Sequence, residues 1–148
     1  MKITTFTDYS LRVLIHVASA PDGRATIAGV ARAFGISENH LVKVVHLLGR
    51  EGFLATTRGR GGGLRLARAA RDINVADVVR ATEGGVFPVE CIGDGANDCA
   101  IARVCKLPGV LSKAMDAFYA VLESCTLQDL VAEKAPLRAI LHRMPART

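Results

Sequence analysis

At 148 residues the chain has the length of one domain, roughly 100–200 residues, which excludes a multi-domain enzyme. Half of its residues are apolar and 22% are charged, a balance that excludes a disordered chain, a collagen-like fibre and a small disulfide scaffold. The net charge of +5 is unevenly spread: residues 1–80 hold 12 Lys/Arg against 6 Asp/Glu, whereas residues 81–148 hold 7 against 8. The N-terminal half is therefore the part expected to meet a polyanion, with nucleic acid the expected partner.

The first segment ends in Ala18-Ser19-Ala20, which superficially resembles a secretory cleavage site. Asp8 and Arg12 interrupt it, and the apolar run from Val13 to Ala18 is too short for a signal core. Phe6, Leu11, Leu14, Ile15 and Val17 instead follow a helical period, with Thr4, Thr5 and Thr7 available as caps, predicting a helix over about 5–19. No stretch approaches the roughly 18 apolar residues of a membrane span. A soluble cytoplasmic protein is expected, its Cys91, Cys99, Cys105 and Cys125 reduced.

Pro21-Asp22-Gly23 is turn chemistry, and residues 26–34 read as a second helix stopped by Gly35. A third helix follows, with Ser37 at the cap position, Leu41, Val44, Val45 and Leu48 as its apolar stripe, and Gly52 beyond its end. Helix, short Gly-containing turn, helix is the sequence form of a helix-turn-helix. Its second helix would present Ser37, Asn39, His40 and Lys43 near its start, where donors for base edges or phosphates belong. Residues 53–57 and 64–67 then predict two strands around Arg58-Gly59-Arg60-Gly61-Gly62-Gly63. That hairpin makes the unit a winged helix-turn-helix, with Arg58, Arg60, Gly61 and Gly62 at a tip able to reach phosphate or a minor groove. The tip is not a nucleotide phosphate loop, because it lacks GxxxxGK[ST] and leads into a strand.

Residues 73–82 predict a further short helix, ended at Glu83-Gly84-Gly85, and the loop of residues 86–104 follows. From Leu107 to Leu122, Val110, Leu111, Ala114, Met115, Phe118 and Val121 recur at helical spacing. With Leu127, Leu130 and Val131 behind it, this long helix has more apolar face than a small winged helix covers, predicting a homodimer. The fold expected is mainly α with a small β-hairpin. Residues 1–83 form the winged helix-turn-helix, 84–106 a cysteine loop, and 107–148 the dimerisation helix and C-terminal segment.

Cys91, Cys99 and Cys105 are spaced more widely than the short CxxC pairs of structural zinc sites, and no His lies in their loop. Three thiolates suit the soft iron of an iron-sulfur cluster but leave one ligand missing; zinc and three unconnected thiols are the alternatives. Cys125 reads as an ordinary thiol. No Cys has a His base nearby in sequence and no nucleophile motif appears, so an enzyme is not expected.

Five stretches carry a family resemblance: Phe6-Thr7-Asp8-Tyr9-Ser10-Leu11-Arg12, Asn39-His40-Leu41-Val42-Lys43, residues 58–66, the three-cysteine loop, and residues 126–131. Through them the whole chain resembles the bacterial iron-sulfur winged-helix transcriptional repressors of the NsrR, IscR and RirA type, most of all the nitric-oxide-sensing branch. The resemblance implies a homodimer on a partly palindromic operator, with a cluster in each subunit, [4Fe-4S] favoured over [2Fe-2S]. Cys91, Cys99 and Cys105 would hold it, with Asp8 from the other subunit as a labile fourth ligand. Nitric oxide would attack the cluster, displace Asp8 and lift repression. Arg12, four residues on along the same face, would pair with Asp8 when the cluster is absent. One feature departs from the nitric-oxide branch: seven residues separate Cys91 from Cys99, as in iron-responsive RirA, and an iron- or cluster-status regulator is the alternative function.

Overall fold

A computed structural model describes residues 3–57, 59, 62–84 and 99–142 of the chain. Helix α1 (Thr5–Ser19) begins at Thr4, whose hydroxyl accepts the Thr7 backbone N–H. Its 15 residues bury Thr7, Ser10, Val13, Leu14, His16, Val17 and Ser19, so much of its surface lies inside the protein. Helix α2 (Ile27–Phe34) is capped by the Thr26 hydroxyl on the Gly29 N–H and ends at Gly35, left-handed at φ 65°. Helix α3 (Glu38–Arg50) follows after Ile36, which is buried in the turn. Ser37 stands at its N-cap as the sequence predicts, but makes no side-chain capping bond. The hydroxyl of that exposed residue is left available.

Strands β1 (Leu54–Thr57) and β2 (Gly63–Leu66) pair antiparallel, Leu54 opposite Leu66 and Thr57 opposite Gly63. Ala67, expected in the second strand, lies just past its end. The wing is also tied to the segment before α2 by a bridge: Ala25 N–H donates to Leu64 O at 3.0 Å and Leu64 N–H to Ala25 O at 2.7 Å. A Cβ at Gly63 would stand 2.6 Å from the Ala25 carbonyl, so this close approach requires glycine.

Beyond a 3-10 turn (Ala70–Asp72), helix α4 (Val75–Glu83) packs on α1. At their contact Glu83 accepts from the Thr4 backbone N–H (2.9 Å), the Thr4 hydroxyl (3.0 Å) and the Thr7 hydroxyl. Partial burial works against its charge, but these hydrogen bonds win and hold the Glu83 carboxyl below its ordinary pKa.

Helix α5 (Leu107–Glu123) has no buried residue along its 17 positions. Its C-terminal end joins the winged helix through Val75 N–H to Cys125 O (3.0 Å), Leu127 N–H to Ile73 O (2.8 Å), and Asn74 Nδ2 to Glu123 O (2.7 Å). The Arg80 guanidinium lies over the Tyr119 ring at 4.6 Å and pairs with Glu123. Helix α6 (Leu127–Leu130) starts with a reciprocal capping box between Thr126 and Asp129. One expectation is corrected here. Leu127 and Val131 do not extend the bare face of α5; they are 1% and 0% exposed, α6 having turned them into the chain's own core. Leu130 of α6 stays exposed at 39%, as do Leu107 (50%), Val110 (61%) and Val121 (69%) on α5. Helix α7 (Lys134–Leu141), which the sequence reading did not single out, lies against α1 and α2.

The core of Val13, Leu14, Val17, Val30, Leu41, Val44, Leu48 and Ile73 holds α1, α2, α3 and the 3-10 turn together. Leu48 is fully buried, so Leu48→Ala is expected to cost about 2–5 kcal/mol, read as a lowered urea midpoint with an unchanged slope.

Candidate DNA interface and metal-ligand residues

Along α3, Asn39, His40 and Lys43 are exposed while Leu41, Val44 and Leu48 are buried, with Ser37 exposed just before them. The structure thus brings the four predicted α3 contacts together on one surface. His40 also faces Tyr9 of α1, ring centroids 6.4 Å apart. Between them lies a cavity of about 250 Å³ lined by Thr5, Phe6, Tyr9, His40, Lys43 and Val44.

Of the wing-tip candidates, Arg58, Arg60 and Gly61 lie outside the described residues. Gly62 is half-buried, and a Cβ there would overlap the Thr57 carbonyl and stand 2.9 Å from that of Gly59. The other arginines of the basic stretch are partly engaged. Arg50 pairs with Glu51 (3.0 Å) and Arg68 stacks on the Phe53 ring (4.8 Å), whereas Arg65 is exposed on β2.

Asp8 lies in the first turn of α1, where the helix dipole favours a carboxylate. Its two oxygens are held by Arg12 in a fork, Nε to Oδ1 and a terminal nitrogen to Oδ2, each 2.9 Å. Both side chains keep more than 40% exposure, so the pair remains accessible. Arg12 also stands 5.7 Å from the Phe34 ring centroid of α2.

Cys99 is exposed and Cys105 half-buried, at the two ends of a turn that leads into α5. Ala102 N–H bonds to Cys99 O and Cys105 N–H to Ile101 O, each 2.9 Å. Cys91 lies outside the described residues. Among the described residues no three His, Cys, Asp or Glu side chains converge on one point. Among those residues Asp8 is therefore not grouped with Cys99 and Cys105. The fourth cysteine, Cys125, is half-buried at the joint between α5 and α6, its thiol 3.6 Å from the Thr126 carbonyl.

Comparison with known proteins decides the family. A profile described as "Rrf2: Iron-dependent Transcriptional regulator" matches residues 3–133. The chain belongs to the Rrf2 family. It is 46% identical over 142 residues to the HTH-type transcriptional regulator NsrR of Bacillus subtilis, covering 95% of this chain and 97% of that protein. Identity to the NsrR of Halalkalibacterium halodurans is 43% over 146 residues, 98% and 100% of the two chains. Among solved structures, the fold is similar to CymR, the global cysteine regulator of B. subtilis (TM-score 0.67, 28% identity, 90% of this chain and 98% of that one). It is also similar to IscR of T. potens (TM-score 0.69, 26% identity, 99% and 94%). These relatives bear out the winged-helix fold and make transcriptional regulation the role of the chain. Among the described residues no helix is long and apolar enough to cross a membrane.

Several structural partners escaped the sequence reading: Glu83 with Thr4 and Thr7, Arg80 with Glu123, and His16 with His142. They are separated by 43 to 126 positions with no motif around them, so nothing local announces them. Gly62→Ala is expected to displace the wing tip while leaving the buried core intact. Operator affinity should fall at least about tenfold, roughly 1.4 kcal/mol, in a binding titration, with the thermal midpoint nearly unchanged.

Proposed function

We propose that the chain is a homodimeric repressor of operator DNA that responds to nitric oxide through an iron-sulfur cluster. Cys91, Cys99 and Cys105 would hold the cluster, preferably [4Fe-4S], with the partner subunit's Asp8 as the fourth ligand. Residues 1–83 would bind DNA and residues 107–148 would dimerise. The observation that carries this reading is the state of Asp8: an accessible carboxylate, held by Arg12, on the helix that packs against α3. The names of the NsrR relatives support it.

The donors fit the group. Thiols on an accessible turn and a carboxylate matched to a nearby guanidinium offer a soft sulfur set with one exchangeable oxygen ligand. When bound, the cluster supplies iron that can take up a diatomic gas.

The chain's own residues do the rest. Asp8 has two oxygens, and the Arg12 fork engages both; ligation through one of them would compete with this fork. Asp8 committed to the partner's site would tie α1 across the dimer, whereas Asp8 returned to Arg12 ties it within its own chain, beside Phe34 of α2. Because α1 packs against α3, either state bears on where Ser37, Asn39, His40 and Lys43 stand relative to DNA. The exposed Leu107, Val110 and Val121 give the partner subunit an apolar face to cover.

Asp8→Ala and Cys99→Ala are each expected to weaken anaerobic operator binding at least tenfold, with dimerisation and thermal midpoint unchanged. Unchanged affinity in both variants overturns the cluster mechanism but leaves the winged helix standing. A second reading, an iron- or cluster-status regulator, draws on the seven residues between Cys91 and Cys99 and on the iron-dependent description of the family. Titrating the cluster-loaded dimer with nitric oxide and, separately, with an iron chelator, while following DNA binding, separates the two. Release by nitric oxide at intact iron supply supports the first; release by the chelator alone supports the second.

A further inference from the structure

His16 is 3% exposed, and its Nδ1 is buried without a hydrogen-bond partner. Its ring lies against that of His142, just past α7, with centroids 4.2 Å apart and planes at 56°. Ser19 joins the two: its Oγ donates to the His16 carbonyl at 3.1 Å and lies 3.1 Å from His142 Nε2. The single hydroxyl proton is used on the carbonyl, so Nε2 of His142 carries the proton of that second contact. Arg138 completes the attachment, its Nε donating to the Ser19 carbonyl at 2.9 Å. Helix α7 thereby satisfies a carbonyl in the last turn of α1 that the helix cannot satisfy itself.

We propose that α7 is a detachable clasp on the C-terminal end of α1, closed while His16 and His142 are both neutral and opened when they take up protons. The packed geometry has no place for two imidazolium ions. The rings touch, and Arg138 brings a fixed positive charge to the same spot. On the other side, the turn after α1 presents Asp22 and Arg24, while α2 presents Thr26, Gly29 and the edge of Phe34. Asp22 draws His142 toward its cation and opposes release; Arg24 is positive and does not. Burial, then the field of His142, pushes the His16 pKa down to about 4, against a hydrogen bond to the Leu141 backbone that raises it. Burial also lowers that of His142, with Arg138 adding to the effect and the His16 backbone and Asp22 opposing it.

The sign follows from these directions. Both groups bind protons more weakly in the closed form than when released, so the closed form is fully favoured above about pH 6.5, the ordinary histidine value, and loses ground as pH falls toward 4. A shift from 6.5 to about 4 for His16 alone raises the opening constant about 30-fold between pH 7.5 and pH 5. His16 and His142 line, with Thr26, Gly29 and Gly62, an open surface cleft of about 410 Å³; opening would deepen it toward the unpartnered Nδ1.

The test uses the full-length dimer without metal: amide hydrogen exchange, corrected for the intrinsic pH dependence, together with the imidazole Cε1–H resonances followed from pH 7.5 to 5. Residues 134–142 should lose protection about 30-fold while α1, α3 and the strands keep theirs, and His16 should titrate well below 6.5. His16→Gln should remove most of the local pH dependence and leave the smaller part that His142 contributes; if that variant does not fold, His142→Gln should weaken the dependence and keep the fold. Constant protection of α7, a His16 that titrates near 6.5, or loss of protection across the whole chain would each overturn the clasp. The readout needs neither cluster nor DNA, so its failure is distinguishable from failure of the repressor reading.

Discussion

Helix α1 is the member on which the arrangement of the others depends. Its polar groups are tied at both ends to elements distant in sequence: Thr4 and Thr7 to Glu83 of α4, and Ser19 to Arg138 and His142. Between those ends Val13, Leu14 and Val17 are buried in the core that also contains Leu41, Val44 and Leu48 of α3. A rotation of α1 would therefore disturb close-packed side chains at several places at once, and packed interiors resist such disturbance. Asp8 and Arg12 occupy the face left accessible, which is where a signal could act on the helix without first unfolding it.

Much of this fold was legible because its signals are local. Thr26, Gly35, Leu41, Val44 and Leu48 each speak through a neighbour within a few positions, and the helix-turn-helix follows from their spacing. The hairpin was legible for the same reason, from short β-prone runs around a glycine-rich turn. Leu127 and Val131 misled, because periodicity shows that a side chain is apolar without showing which surface covers it. The break at Ser124-Cys125, followed by the Thr126–Asp129 capping box, turns those residues back into the core. At the candidate site the Asp8–Arg12 pair was legible, because the two lie four residues apart on one helix. The cysteines belong to a different part of the chain, and no spacing in the sequence relates them to that pair.

The energy of the Asp8–Arg12 fork limits what it can do alone. A partly exposed pair four residues apart on a helix contributes about 0.3–0.5 kcal/mol, whereas a hundredfold change in operator occupancy needs about 2.7 kcal/mol. The fork is therefore suited to being exchanged, not to driving the switch. In the proposed switch the larger difference would arise where α1 meets α3, as several α3 side chains gain or lose their alignment with DNA together. Tyr9 and His40 line an apolar surface cleft at that contact.

The attachment of α5 places a further constraint on the route of a signal. The described ties between α5 and the winged helix cluster at its C-terminal end, at Tyr119, Glu123 and Cys125, whereas Cys105 precedes its first turn. Seventeen helical residues separate those ends, about 25 Å at 1.5 Å per residue. A change at Cys105 would have to pass along a stiff helix to reach its own α4, through a joint held by backbone bonds and the Arg80 stack. In the proposed dimer the partner subunit's Asp8 offers a shorter route, from the cysteine turn directly into a helix that packs on α3. In that proposal the same chain would hold its own α5 rigidly and still pass the state of its cysteines to DNA, because the moving contact would lie between subunits and the fixed one within each.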